Sequence, residues 1–174
     1  EQNVLHVWPN QFYRLTVADG GVELVTELPS GYMGNYEYSV HDVMSLDGDR
    51  FVTLIEQIPS LDLLLSSTGT LDPALGLPLE GDFGTLRGRL GGGEVVVTTL
   101  NPGGGVHIVD ASSDVPTLLV KLADAWGYGV SPAGVGVAYA QTLGFDGPGR
   151  AGVLGPSIEA FVDLDSSNMP TVGW

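Results

Sequence analysis

An all-β chain is what these 174 residues predict, and three observations predict it. Twenty-six glycines and eleven prolines interrupt every stretch, so no window sustains an i, i+3, i+4, i+7 apolar stripe between helix caps. Short β-branched or aromatic runs recur instead, each bounded by Gly, Pro, Asn, Asp or Ser. The runs also repeat as a group. Ser112-Ser113-Asp114-Val115-Pro116-Thr117 returns as Ser166-Ser167-Asn168-Met169-Pro170-Thr171, in each case after an apolar strand.

The elements fall into four units. First strands are expected at Val4–Trp8, Phe51–Ile55, Val95–Thr99 and Val135–Tyr139, with starts separated by 47, 44 and 40 residues. Second strands follow at Phe12–Val17, Leu61–Leu65, Val106–Asp110 and Ile158–Leu164, each running into a turn rich in Asp, Gly or Ser. Third strands are expected at Val22–Leu28, Leu75–Leu79, Thr117–Leu122 and Thr171–Trp174. Fourth strands are expected at Tyr38–Met44, Phe83–Leu90 and Trp126–Val130. Their closing turns, Asp47-Gly48-Asp49, Gly91-Gly92-Gly93 and Ser131-Pro132-Ala133-Gly134, feed the next first strand. Gln141–Pro156 reads as the longest irregular stretch, a loop inside the last unit.

Four antiparallel strands at a period of about 40–50 residues match a β-propeller blade. The chain is therefore expected to be one domain of four blade-like repeats, about 1–50, 51–94, 95–134 and 135–174. The run Gly105-Val106-His107-Ile108-Val109-Asp110 through Pro116, then Tyr128-Gly129-Val130-Ser131-Pro132-Ala133-Gly134 into Val137-Ala138-Tyr139-Ala140, carries a closer likeness. It resembles the blades of the YVTN and lactonase-like propeller superfamily, in which a V-x-V-x-D strand and an S-P-x-G turn recur. The resemblance is specific over about residues 95–140; the first two units depart from it, keeping only the turn at Ser45–Gly48 and the glycines at 91–93.

The last unit ends at Trp174 with no chain left for a fourth strand, so its blade is expected to lack the outer strand. An unprotected sheet edge invites pairing. The expectation is a partial or half ring, completed by another polypeptide or by self-association with a second copy.

Six lysines and arginines against 21 acids give a formal charge of −15. Such a chain repels phosphate backbones, which excludes nucleic acid as a partner. No run of about 18 apolar residues occurs, so no membrane span is expected. Cysteine is absent, which removes disulfides and thiolate sites. The low lysine content and Gly-, Ser- and Thr-rich turns suit an exported or cell-surface protein. An opening at Glu1, with no methionine and no apolar leader, fits a mature product after leader removal, or a boundary within a longer chain.

Candidate chemistry is sparse. Mapped onto a propeller, Asp19, Asp47, Asp49, Glu94, Asp114 and Asp165 fall on one rim. Asp47 with Asp49, and Asp163 with Asp165, are the weak metal candidates, for Ca²⁺ in particular, since hard cations take carboxylate oxygens. Neither pair has the spacing of an EF-hand loop, and the same residues serve equally as turn formers. His6, His41 and His107 lie too far apart in sequence for a local metal clasp, and His41-Asp42 is expected to tie blades together. No nucleophile elbow or Ser-x-x-Lys is present, and no catalytic residue is assigned. Tyr32–Tyr36 offers aromatics for a protein or sugar contact. The leading expectation is a non-catalytic binding or assembly module. Two others stand beside it: a lactonase-like propeller enzyme with a metal at its channel mouth, implied by the resemblance and drawing on Asp47, Asp49 and Glu94, and a structural β-protein of a virion or surface layer.

Overall fold

The computed structural model describes residues 2–7, 11–27, 39–47, 50–57, 60–67, 70–100, 103–142 and 149–164. These form four antiparallel sheets, and the one helical piece among them is a single 3-10 turn at Pro73–Leu75. The first sheet holds β1 (Gln2–Val7), β2 (Gln11–Thr16) and β3 (Gly21–Glu27). The second holds β4 (Ser39–Ser45), β5 (Phe51–Gln57) and β6 (Ser60–Ser67), with β7 (Thr70–Leu71) and β8 (Leu77–Leu79) pairing with opposite ends of β6. The third is β9 (Phe83–Arg89), β10 (Glu94–Leu100), β11 (Gly105–Asp110) and β12 (Thr117–Ala123). The fourth is β13 (Ala125–Val130), β14 (Val137–Thr142), β15 (Gly149–Gly155) and β16 (Ile158–Leu164).

Two expectations change. Each predicted fourth strand pairs with the strand that follows it, β4 with β5, β9 with β10 and β13 with β14. The hydrogen-bonded sheets therefore run one strand ahead of the sequence repeat. The last sheet also has its full set of four strands, with β16 outermost, so it does not lack an outer strand. The residues read as the Gln141–Pro156 loop contain β15. Its glycines argue against a strand in isolation, but packing requires one of them here: a Cβ on Gly152 would stand 2.2 Å from the Ala160 carbonyl oxygen. Among the described residues the three-stranded sheet is the first one. The predicted strand Thr171–Trp174 and the repeated turn Ser166–Thr171 lie outside the described residues.

The sheets stack face to face in chain order. Cross-strand partners share a face, so the core clusters show which face meets which. From the second sheet, Val52, Leu54, Leu61, Leu63 and Leu65 meet Val95, Val97 and Val109 of the third. Its other face, with Phe51, Ile55 and Leu64, meets Phe12 and Val25 of the first, the Phe12 and Phe51 rings stacking at 5.1 Å. Val96, Val106 and Ile108 on the back of the third sheet meet Ala125, Val137, Tyr139 and Leu154 of the fourth. Burial on both faces explains why Phe51–Ile55 and Val95–Val97 are unbroken hydrophobic runs except at Thr53 rather than alternating ones. The sheets' leading strands form a row, β1 against β4, β4 against β9 and β9 against β13. No comparable packing joins the first sheet to the fourth among the described residues.

Backbone and side-chain bonds sew the seams. Asp42 Oδ2 accepts the Leu86 N–H across the second seam at 2.9 Å. Thr98 Oγ1 accepts the Gly127 N–H across the third at 3.2 Å. Gly91 donates to the Gly134 carbonyl, tying the β9–β10 turn to the β13–β14 turn. Leu63→Ala, emptying a site buried between two sheets, is expected to cost about 2–5 kcal/mol. Leu118→Ala, at a side chain 40% exposed on the outer strand β12, should stay within about 0.5 kcal/mol. Urea unfolding of the two variants measures the contrast.

Candidate functional site

The turns at one end of the second and third sheets come together as a rim. Arg50, just after the β4–β5 turn, reaches the β11–β12 turn and donates to the carbonyls of Ala111, Ser112 and Ser113 at 2.6–3.0 Å. Arg89 forks onto Asp47 with bonds of 3.1 and 2.6 Å, a bidentate geometry suited to guanidinium and carboxylate. That bond and the arginine's charge hold the Asp47 carboxyl below its usual range. Asp110 is likewise lowered by its bonds to Ser112. Other predicted rim acids make turns: Asp19 accepts the Gly21 N–H, and Glu94 the Gly92 N–H.

The predicted metal candidates are separated by these pairings. Asp47 sits on Arg89, while Asp163 on β16 accepts a 3.0 Å bond from Arg150 Nε, whose guanidinium also lies 3.7 Å over the Phe161 ring. Asp49 and Asp165 lie outside the described residues, as do Tyr32–Tyr36. Among the described residues no three His, Cys, Asp or Glu side chains gather as a metal-holding group.

The histidines act locally. His6 is in β1, opposite Phe12. His41 Nε2 donates to Glu56 at 2.8 Å and its ring packs edge-on against Phe83. Its neighbour Asp42, rather than His41, makes the bond between sheets. His107 is 1% exposed on the face that meets the second sheet. Its tautomer follows from Thr99, whose hydroxyl donates to the Glu80 carbonyl at 2.6 Å and accepts the Gly105 N–H. Nε2 of His107 must then be the donor in its 2.9 Å bond to Thr99 Oγ1, leaving Nδ1 a buried lone pair without a partner. Burial, with the neighbouring Lys121 charge, pushes the ring down to about 4 against the partial opposition of Glu80.

A third grouping escaped the sequence reading. Arg87 on β9 lies 4.5 Å over the Trp126 ring on β13 and donates from Nε to Thr98 Oγ1 at 3.3 Å. Arg87 was visible only as one of six basic residues; nothing in its spacing indicated the indole 39 positions away. Tyr139, fully buried, donates to Glu159 at 3.2 Å, and burial pushes its hydroxyl up to about 12. It is a core residue and not a proton donor near neutrality. No known protein-family model matches the chain, and no curated protein matches it.

His107 supplies a pH prediction. Its folded value of about 4 lies below the ordinary 6.5, so between the two the unfolded chain takes up a proton that the folded chain refuses. Its contribution is therefore fully present above about 6.5 and is lost as pH falls towards about 4. The wild-type chain is expected to lose about 3 kcal/mol more than His107→Gln over that window, as read by denaturant unfolding at several pH values.

Proposed function

We propose that this chain is a propeller-type module for binding or assembly, without catalysis of its own, whose sheet stack is continued by a second copy or another polypeptide. The likeness to the YVTN and lactonase-like superfamily is part of the proposal, and the acidic, lysine-poor composition suits work outside the cell or on its surface. One observation carries the reading: the second and third sheets are packed on both faces, whereas the outer two each carry exposed apolar groups on the face turned away from the stack, which no other described sheet covers. On the first sheet, Val22 and Leu24 lie opposite Leu15 and Tyr13 on the face turned away from the second, 65% and 46% exposed. On the fourth, Ile158 and Val162, 51% and 62% exposed, share the outward face with Val153 and Ala151. Stacking such faces repeats the packing already used at three seams. Exposed apolar surface of this kind marks association sites.

The sheets' leading strands contact one another in series, as blades do around a channel, and that supports the propeller part of the reading. For metal chemistry at the channel mouth the rim offers little, since Asp47 is already bonded to an arginine. Light scattering on the purified chain, with and without EDTA, is the test. The expected result is a species of twice the 18.2 kDa chain mass that EDTA leaves intact. Val162→Asp should return it to monomer, and Leu118→Asp, on an outer strand away from either end face, should not. A stable wild-type monomer would sink completion by a second copy, and dissociation in EDTA would make the acidic rim a metal site.

A further inference from the structure

In a chain with a formal charge of −15, each of the six cations has acids to choose from. Arg14 lies 3.6 Å from Glu23, Arg89 forks onto Asp47, Arg150 bonds Asp163, Lys121 pairs with Glu80, and Arg50 caps three carbonyls. Arg50 spends its terminal nitrogens on carbonyls instead of an acid, and Arg87 spends them on neither among the described residues. The contacts of Arg87 are the Nε bond to Thr98 and the stack on Trp126. The acid felt at Arg87, Asp42, acts on it only at a distance and forms no ion pair with it. The two oxygens of Asp42 accept the N–H groups of Val43 and Leu86.

The placement is fixed from three sides. Arg87 belongs to β9, which lies between two other leading strands, with Asp42 on β4 before it and Trp126 and Tyr128 on β13 after it. Thr98, which receives the Arg87 Nε–H, is itself held by the Gly127 N–H. The indole lies against the guanidinium, 4.5 Å from ring centre to Cζ. With Nε committed, the two terminal nitrogens remain; neither is a fully buried donor lacking a partner, and the side chain as a whole is partly exposed. Partial burial depresses the arginine's affinity for its proton, yet a guanidinium stays charged at any ordinary pH. The result is a cation, held in place and partly dehydrated, with no ion-pair partner among the described residues.

We infer that the outer edge of Arg87, oriented by Trp126 and Thr98 on the row of leading strands, is a binding site for a single carboxylate group. Two parallel N–H donors match the two oxygens of a planar carboxylate. Prior immobilisation by the stack reduces the entropy lost on binding. The field of fifteen excess negative charges argues for a singly charged group over a phosphate dianion. This inference stands apart from the assembly proposal and needs no second chain.

The test follows the Arg87 Nε–Hε resonance in the full chain during titration with sodium acetate, balanced against sodium chloride at constant ionic strength. Acetate represents a small free carboxylate. Acetyl-aspartyl amide represents one presented by a partner polypeptide, and the tighter of the two identifies the source. A saturating shift with either is expected, absent with chloride and lost in Arg87→Gln. Arg87→Lys keeps the charge but not the fork, and should weaken binding about tenfold; it also serves if Arg87→Gln does not fold. A shift matched by chloride, an acetate response kept at full strength in Arg87→Lys, or tighter binding of inorganic phosphate than of acetate would overturn the assignment.

Discussion

The fold depends on one constraint: a sheet that is apolar on both faces must be covered on both. Phe51 to Ile55 are all buried, and so are Val95 to Thr99 and Gly105 to Val109. In an isolated hairpin such strands would leave half of their side chains in water, at roughly 25 cal/mol for each Å² left exposed. Only a stack of sheets removes that penalty. Each seam completes one sheet and presents the next unsatisfied face, so the order of stacking follows the order of the chain. The constraint propagates until a sheet can tolerate exposure, and it is the two outermost sheets that must.

Stacking by apolar contact alone would let neighbouring sheets slide. The polar bonds at the seams remove that freedom. Asp42 fixes β4 to β9, Thr98 fixes β10 to β13, and Arg50 ties the β4–β5 turn to the β11–β12 turn. Each uses a side chain to satisfy a backbone group that lies at a seam or turn, where a missing partner would cost about 1–3 kcal/mol. Thr99 and His107 do the same inside the third sheet, closing the Gly105 N–H and the Glu80 carbonyl with one hydroxyl. The resulting price is a histidine held neutral with one buried lone pair.

Strand content was legible in the sequence because period, turn chemistry and β-branched runs agreed with one another. Sheet membership was not. Whether β9 belongs with the strands before or after it depends on whether Gly91–Gly93 closes a hairpin, and it does: the Leu90 N–H donates to the Glu94 carbonyl across that turn. The repeat had the same spacing under either grouping. Strand β15 was missed because glycine was read as punctuation, when Gly152 and Gly155 are glycines so that other backbone can approach within 2.5 Å of where a Cβ would be. The acidic rim was partly legible, since turn acids are a matter of local sequence. Their arginine partners were not, because Asp47 and Arg89 are 42 positions apart and meet only through the second seam.

Charge shows the same division between local and distant. An excess of acids costs little where each is solvated on a turn, so the 21 carboxylates need no architecture to hold them. The six cations are scarce, and the fold disposes of five of them with evident purpose, two of them at seams or rims where they hold distant turns together. A guanidinium whose terminal nitrogens meet neither a carboxylate nor a carbonyl among the described residues is therefore informative in a way that another unpaired aspartate would not be. The seam holds Asp42 on Leu86, and the arginine beside it is stacked on an indole and bonded to a threonine, with no ion pair among the described residues.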